Sequence, residues 1–589
     1  MNCPSRTDAD DGTNGWNQNP PALAADLTTR NDMDHIVNSR QLRDHKLDPG
    51  NSKGVEIIPC ERQGDTDGEK DAAVAYGELG VPGLGSGSGS KKPGGFGPYV
   101  NNRARRAFQV LKKYCKFIGP GFCISVAYID PGNYATDVAA GATYRYKLLF
   151  MVLLSNVLAI FLQSLCVRLG SVTGLNLAEN CKAHLPGWLN LVLYFFAECA
   201  IIATDIAEVI GTAIALNLLL HIPLVAGCAI SIVDVLVILF FYRPSGSMRG
   251  VRLFEGFVML LVIGVVVCFC FQLSLIKDTT VGEVFRGYLP SSALVESKGL
   301  YQACGILGAT VMPHSLYLGS GIIQSRLREF DTKAGNIPLP SSSSIISSSS
   351  STNPSKYRPS ITAIRSCMSY SIAELAISLF TFALFVNSAI LIVAGASLSA
   401  TPAAQSADLF AIHELLSQML APAAGTIFAL ALLLSGTSAG IVCTIAGQMV
   451  SEGQLSWSVA PWVRRLVTRS ISITPSIIIA GAVGADGLSA ALQASQVALS
   501  IILPVTSAPL LYFTCRNKYM TVRDADADPD PDTDIAAMEA EGDGDGAAVH
   551  AGGVKMRNSW PVTVLAAGVW GLIVVMNGAL IVLVALGKH

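Results

Sequence analysis

Ser125-Val126-Ala127-Tyr128-Ile129-Asp130-Pro131-Gly132-Asn133 and Ala309-Thr310-Val311-Met312-Pro313-His314 are the two stretches on which the reading of this chain turns. Each lies inside an apolar run, and each carries a proline where a helix would otherwise continue. Proline has no N–H, so the carbonyl four residues earlier loses its partner. Pro131 frees the carbonyl of Ala127, and Pro313 frees that of Ala309. In hydrocarbon such oxygens must find another partner. Beside them stand a carboxylate (Asp130), an amide (Asn133), a thioether (Met312) and an imidazole (His314). Ionisable groups at bilayer depth are expensive, so the paired breaks mark a functional site.

The surrounding chain is a membrane sequence. Of its 589 residues 51% are hydrophobic and only 14% charged, far from ordinary soluble composition. Runs of about 20 apolar residues, enough to cross about 30 Å of hydrocarbon, recur, and we read about eleven of them. The Asp130 break falls in the first and the Met312 break in the sixth. The ninth, residues 471 to 486, is thinned by Gly481 and Gly484. The fold class is all-α and integral to the membrane. The net charge of -2 carries no nucleic-acid signature.

Basic residues are segregated. Arg103, Arg105, Arg106, Lys112, Lys113 and Lys116 precede the first span; Arg243, Arg249 and Arg252 lie between the fourth and fifth; Arg464, Arg465 and Arg469 precede the ninth. All fall on one side of an alternating topology, whereas residues 399 to 422 on the other side hold no Lys or Arg. This bias predicts a cytoplasmic N-terminus. The acidic opening lacks a hydrophobic region, so the first span is expected to direct insertion. Fourteen scattered cysteines, without a paired framework, read as small buried hydrophobes.

Composition divides the chain further. Residues 1–100 are polar and Gly-rich, which predicts a disordered cytoplasmic tail. Residues 101–325 hold the first membrane repeat and the sixth helix, 326–365 a Ser-rich cytoplasmic loop, and 366–515 helices seven to ten. An acidic cytoplasmic linker follows at 516–558, and the last transmembrane helix at 559–589. Residues 103 to 116 read as a basic anchor, and Asp408 to Met419 as a short amphipathic surface helix.

The donor set of the two breaks, a carboxylate, an amide oxygen, a thioether and two carbonyls, is a coordination shell for a cation. Calcium and magnesium take oxygen ligands, while softer ions such as manganese, iron and cobalt accept sulfur. Met312 is thus the expected selectivity element, although a Met in such a helix also serves plain packing. One carboxylate leaves a dication incompletely neutralised, which suits a protein that must release it. In the third span Asp205 and Glu208 lie three residues apart, on one helical face, with Glu198 one heptad before Asp205. His314, next to the second break, is of a residue type that can titrate near physiological pH.

Asp130-Pro131-Gly132-Asn133 together with Met312-Pro313-His314 resembles the Nramp family of proton-coupled divalent metal transporters. Ala203-Thr204-Asp205-Ile206-Ala207-Glu208, Ala446-Gly447-Gln448 and Ser495-Gln496 extend the resemblance through residues 117 to about 515. It implies a LeuT-type fold: two inverted five-helix repeats plus one further helix, with metal held where the first and sixth helices unwind. It implies as metal ligands Asp130, Asn133, Met312 and the carbonyls of Ala127 and Ala309, with Gln496 joining when the site is occluded. It also implies a proton pathway past His314, Asp205, Glu208 and Glu198 toward arginines that Arg464 and Arg465 resemble. Two positions depart from the family pattern. Gly319 stands where many relatives carry a second histidine, and Gly436-Thr437-Ser438 stands where a glutamine is usual after the glycine.

The implied function is a non-enzymatic secondary transporter, monomeric, importing manganese or iron with protons into the cytosol across the plasma membrane or an endomembrane, with no bound cofactor. A same-fold symporter of another solute, or a metal-sensing signalling protein with an Nramp-like membrane part, is the competing reading.

Overall fold

The structure, a computed structural model, describes residues 118–231, 233, 248–277, 279–336, 357–399, 408–455, 461–523 and 553–587. The N-terminal tail, the basic anchor, the Ser-rich insert and the acidic tract after Arg523 lie outside the described residues. In chain order the helices are α1 (Pro120–Val126), α2 (Pro131–Tyr144), α3 (Leu149–Thr173), α4 (Leu177–His184), α5 (Gly187–Leu220), α6 (Leu224–Ile230), α7 (Met248–Ser274), α8 (Val281–Gly287), α9 (Ser297–Thr310), α10 (Pro313–Ile322), α11 (Gln324–Ala334) and α12 (Ile361–Ser378). They continue with α13 (Leu384–Ser397), α14 (Leu409–Met419), α15 (Pro422–Leu455), α16 (Pro461–Ala482), α17 (Ala485–Thr514) and α18 (Trp560–Ala585).

Eight helical segments among the described residues are long and apolar enough to cross a bilayer. The remaining three expected spans have physical reasons to fall short. The first is split into α1 and α2 by its break. The fourth begins with α6 and continues largely beyond the described residues. The ninth, α16, starts at Pro461, a full ten residues before the expected position, and so takes its arginines into the helix. The eighth, α15, runs to Leu455 and includes Ala446-Gly447-Gln448.

The broken pairs α1/α2 and α9/α10 open two inverted five-helix repeats, and α18 is the additional helix: the LeuT-type arrangement. The third helices of the two repeats, α5 and α15, pack on each other more extensively than any other pair. Burial ranks the spans accordingly. The most apolar window of α5 is 83% buried and that of the α9–α11 segment 89%, against 22% for α18. The well-buried α5 carries the acids Asp205 and Glu208, while α18 has no charged residue and buries one stripe, Ala566, Val569, Ile573, Asn577 and Leu580.

Lipid tails are as apolar as leucine, so helix association in the membrane depends on close van der Waals contact between small residues. Gly308 of α9 meets the backbone of α17 at Gln496 and Ser500, where any side chain would collide. In the seventh span a π-turn, Leu379–Ala383, separates α12 from α13. With its amide oriented to suit, Asn156 of α3 donates to Leu379 O at 3.3 Å and accepts from Leu384 N–H at 3.2 Å, satisfying the irregular turn. A two-stranded antiparallel ribbon, β1 (Thr521–Arg523) and β2 (Gly553–Lys555), joins α17 to α18.

Candidate metal centre

Both breaks are real. Residues 127–130 leave the helix, and Asp130 adopts an extended backbone (φ -113°, ψ 166°) before Pro131 starts α2 as its first residue. Met312 is likewise extended (φ -75°, ψ 128°) ahead of Pro313, which starts α10. Proline is tolerated there because the first N–H groups of a helix have no intrahelical partner. The Asp130 carboxylate also caps α2, accepting from the N–H groups of Gly132 and Asn133, each at 3.1 Å. That cap is a structural role the sequence reading did not assign.

The breaks meet at Asn133. Its Nδ2 lies 2.6 Å from Asp130 Oδ1, 3.1 Å from the Tyr128 carbonyl and 3.1 Å from the Ala309 carbonyl of the other break. An amide has two hydrogens for these three acceptors. Its donor edge, with partial positive charge on the hydrogens, thus stands where three oxygens of the two breaks converge. Thr310 Oγ1 donates to Asn133 Oδ1 at 3.5 Å. Rotating the amide about its last bond brings Oδ1 into that ring and turns a donor among oxygens into a fourth oxygen. The C-terminal ends of α1 and α9, with their carbonyl partial charges, also point at the breaks, as suits a cation.

Tertiary partners complete the first break. Asn387 of α13 donates to the Tyr128 carbonyl at 3.0 Å, and Ser435 of α15 to the Ile129 carbonyl at 2.6 Å. The opening is wider than Pro131 alone dictates, because side chains hold two further carbonyls outside the helix. Pro131 rests near Gly436 of α15, its Cγ at 3.4 Å from where a Cβ would lie. The altered Gly436-Thr437-Ser438 segment thus still seats the break. Gln496 of α17 lies against Gly132, with its Nε2 on Ser495 Oγ at 3.0 Å and its Oε1 without a partner among the described residues. Asp130, Asn133, Met312 and Gln496 are completely buried, and Ala127 and His314 are 1% exposed.

A methyl at Gly132 would overlap the Gln496 amide. Gly132→Ala is therefore expected to lower stability by about 1–3 kcal/mol, the cost of overpacking, read as a lower unfolding temperature in detergent. An unchanged temperature would mean that Gln496 moves aside freely.

His314 links this centre to the third span. Its Nδ1 is 3.3 Å from Thr204 Oγ1, one residue before Asp205. Asp205 and Glu208 share one cation, the guanidinium of Arg469 on α16: Nη1 is paired with Asp205 and lies 3.4 Å from Glu208 Oε2. All three side chains are buried, and Cys443 of α15 sits among them. Glu198 lies two turns earlier on α5 and is half-buried. The backbone of Arg464 and Arg465 belongs to α16, but their side chains lie outside the described ones.

A separate polar knot ties the free end of α1. The N–H groups of Gly119 and Gly121 donate to the Glu374 carboxylate at 2.8 to 3.0 Å. Arg326 pairs with Glu255 at 2.5 Å. Gly119 has φ +147°, open to glycine alone, and any Cβ there would strike Glu255 and Arg326.

The family described as Natural resistance-associated macrophage protein-like, Nramp, matches residues 121–524. The chain belongs to the Nramp family. It is 57% identical to the manganese transporter SMF1 of Saccharomyces cerevisiae over 419 residues, covering 70% of this chain and 73% of that one. It is 53% identical to the iron transporter SMF3 of the same yeast over 423 residues, covering 71% and 86%. Among solved structures, the Eremococcus coleocola manganese transporter aligns with a TM-score of 0.62 at 29% identity, covering 80% of this chain and 86% of that chain.

Three groups in this Nramp chain escaped the sequence reading. Arg469 reads as a flanking charge when the ninth span starts at residue 471; with α16 starting at Pro461 it is a cation two turns inside the helix and needs buried partners. Glu255, Arg326 and Glu374 belong to three different spans, and nothing in their spacing joins them. Asp137 is one heptad beyond Asp130, a spacing that was legible and went unread.

Proposed function

We propose that this Nramp chain is a secondary transporter that carries divalent transition-metal ions, manganese or iron, into the cytosol together with protons. The observation that carries the reading is the convergence of Asp130 Oδ1, the Tyr128 and Ala309 carbonyls and the Asn133 amide in one buried ring between two half-helices. The names of its relatives support the choice of cargo. Asp130, Asn133 Oδ1, Met312 sulfur and the carbonyls of Ala127 and Ala309 form the shell, with Gln496 Oε1 closing it. A metal shedding most of its water exchanges it for these donors, and the two repeats rock around the ion.

With the N-terminus cytoplasmic, α1 faces the cytosol and the Glu374 and Glu255–Arg326 contacts seal that side. Inward release then requires α1 to leave Glu374. An inside-negative potential favours entry by about 2.3 kcal/mol per elementary charge per 100 mV, hence about twice that for a dication. Protons follow a different line, from His314 through Thr204 to Asp205, Glu208 and Arg469. No step is catalytic, and no bound cofactor is called for.

Reconstituted protein should take up Mn2+ in the presence of a large excess of Mg2+ or Ca2+. Met312→Ala removes the only sulfur from the shell, so Ca2+ is expected to gain against Mn2+ by about tenfold or more, equivalent to about 1.4 kcal/mol. Uptake that Mg2+ blocks and Mn2+ leaves untouched would overturn the metal reading in favour of another cation.

A further inference from the structure

Asp137 lies on α2, seven residues beyond Asp130, the cap of that helix, which sets the two residues about 10 Å apart along its axis. Its side chain is completely buried, and neither oxygen has a hydrogen-bond partner among the described residues. An ionised carboxylate in that position would be uncompensated. Neutral, it is tolerable. Among the described residues it belongs to no cluster of metal-ligating side chains. Gly141, one turn on, abuts Leu391 and Ala394 of α13, and Thr136 packs its methyl near Gly305 of α9.

Few charges act on this group. Asp130, at the cap of α2, is the charged neighbour, and the buried phenol of Tyr134 stands three residues before Asp137 on the same helix. Helix α13 contains no ionisable residue. On α9, Lys298 is exposed, whereas Cys304 turns toward Met576 of α18 and Tyr301 packs with it. On α5, Asp205 and Glu208 are held by Arg469. On α15, Cys443 belongs to that cluster and Glu452 lies exposed near the far end. Among described side chains of α17, Tyr512 is the ionisable one, two residues before the helix ends, with Arg516 over its ring. One heptad past Asp137, Tyr144 donates to Glu296 at 3.0 Å at an exposed position. Asp130, Asp137 and Tyr144 thus form one polar stripe from the metal centre to the surface.

We propose that Asp137 is a proton-binding carboxyl of the transport cycle, protonated while the pathway is closed and ionised when water enters the outer half. In the step its O–H bond breaks, the proton passes to entering water, and the reverse reloads it. The proposal rests on the proton coupling inferred above and adds a carrier outside the line from His314 to Arg469.

Full-length protein in proteoliposomes with a pH-sensitive dye tests it, alongside Asp137→Asn, which keeps shape and removes the proton site. Mn2+ binding by calorimetry is expected to stay within about twofold, while H+ influx per Mn2+ falls by about twofold or more and uptake loses dependence on outer pH. The infrared carbonyl band of a protonated buried carboxyl is expected in the parent and absent in the variant; should the variant misfold, Asp137→Ser is read the same way. Unchanged H+ influx and band would overturn the proposal and leave coupling intact. A tenfold loss of Mn2+ affinity would overturn it too, by making Asp137 a metal ligand. Parent protein that moves Mn2+ with no H+ influx would sink the coupling reading itself, and this one with it.

Discussion

Asp130→Asn is expected to bind Mn2+ at least about 100-fold more weakly than the parent, about 3 kcal/mol, while folding normally. The expectation follows from the two roles of this side chain. As the cap of α2 it needs only an oxygen facing the Gly132 and Asn133 N–H groups, and asparagine caps as well as aspartate. As the proposed ligand it would supply the one anionic oxygen in a ring otherwise made of neutral dipoles. Asparagine removes the charge and retains the cap, so affinity and stability separate. Asp130→Ala removes both and is expected to lose about 1 kcal/mol of stability besides. Calorimetric titration with Mn2+ beside thermal unfolding in detergent reads both quantities. An Asp130→Asn protein that binds Mn2+ like the parent would remove the carboxylate from the shell.

Arg469→Ala is expected to be the most destabilising single change, by about 3–5 kcal/mol, because it removes a buried cation that two buried carboxylates share. The guanidinium serves Asp205 and Glu208 together, and both acids are buried. The cost belongs to the uncompensated charges rather than to the pair, so neutralising the acids should recover it. Arg469→Ala combined with Asp205→Asn and Glu208→Gln is expected to unfold close to the parent temperature, and the difference between single and triple variants measures the coupling. If protons use this cluster, the restored protein still carries Mn2+ with little H+ movement. A single variant as stable as the parent would show that the acids are neutral without Arg469.

Several features were legible in the chain because they are local. A proline removes one N–H and one carbonyl partner wherever it stands in a helix. Pro131 and Pro313 therefore announced the breaks, and α2 and α10 begin at those residues. Asp408 ahead of an amphipathic run announced α14, and it caps that helix by accepting from Ala411 N–H at 2.8 Å. Helix ends were less secure. The start of α16 was misjudged because Arg464, Arg465 and Arg469 resemble a topogenic flank when nothing shows what they face.

The amino-acid order by itself determined that this is a multi-span helical membrane protein with two proline-broken helices and polar donors at both breaks. Hydropathy and the missing proline N–H act within a few residues and need no fold. Only the tertiary structure decided that Asn133 bridges Asp130 to Ala309, that Gln496 lies on Gly132, and that Arg469 is the cation of the acidic pair. These contacts join residues up to 364 positions apart on different helices. Their geometry depends on how closely small residues let the backbones approach, which no local pattern encodes.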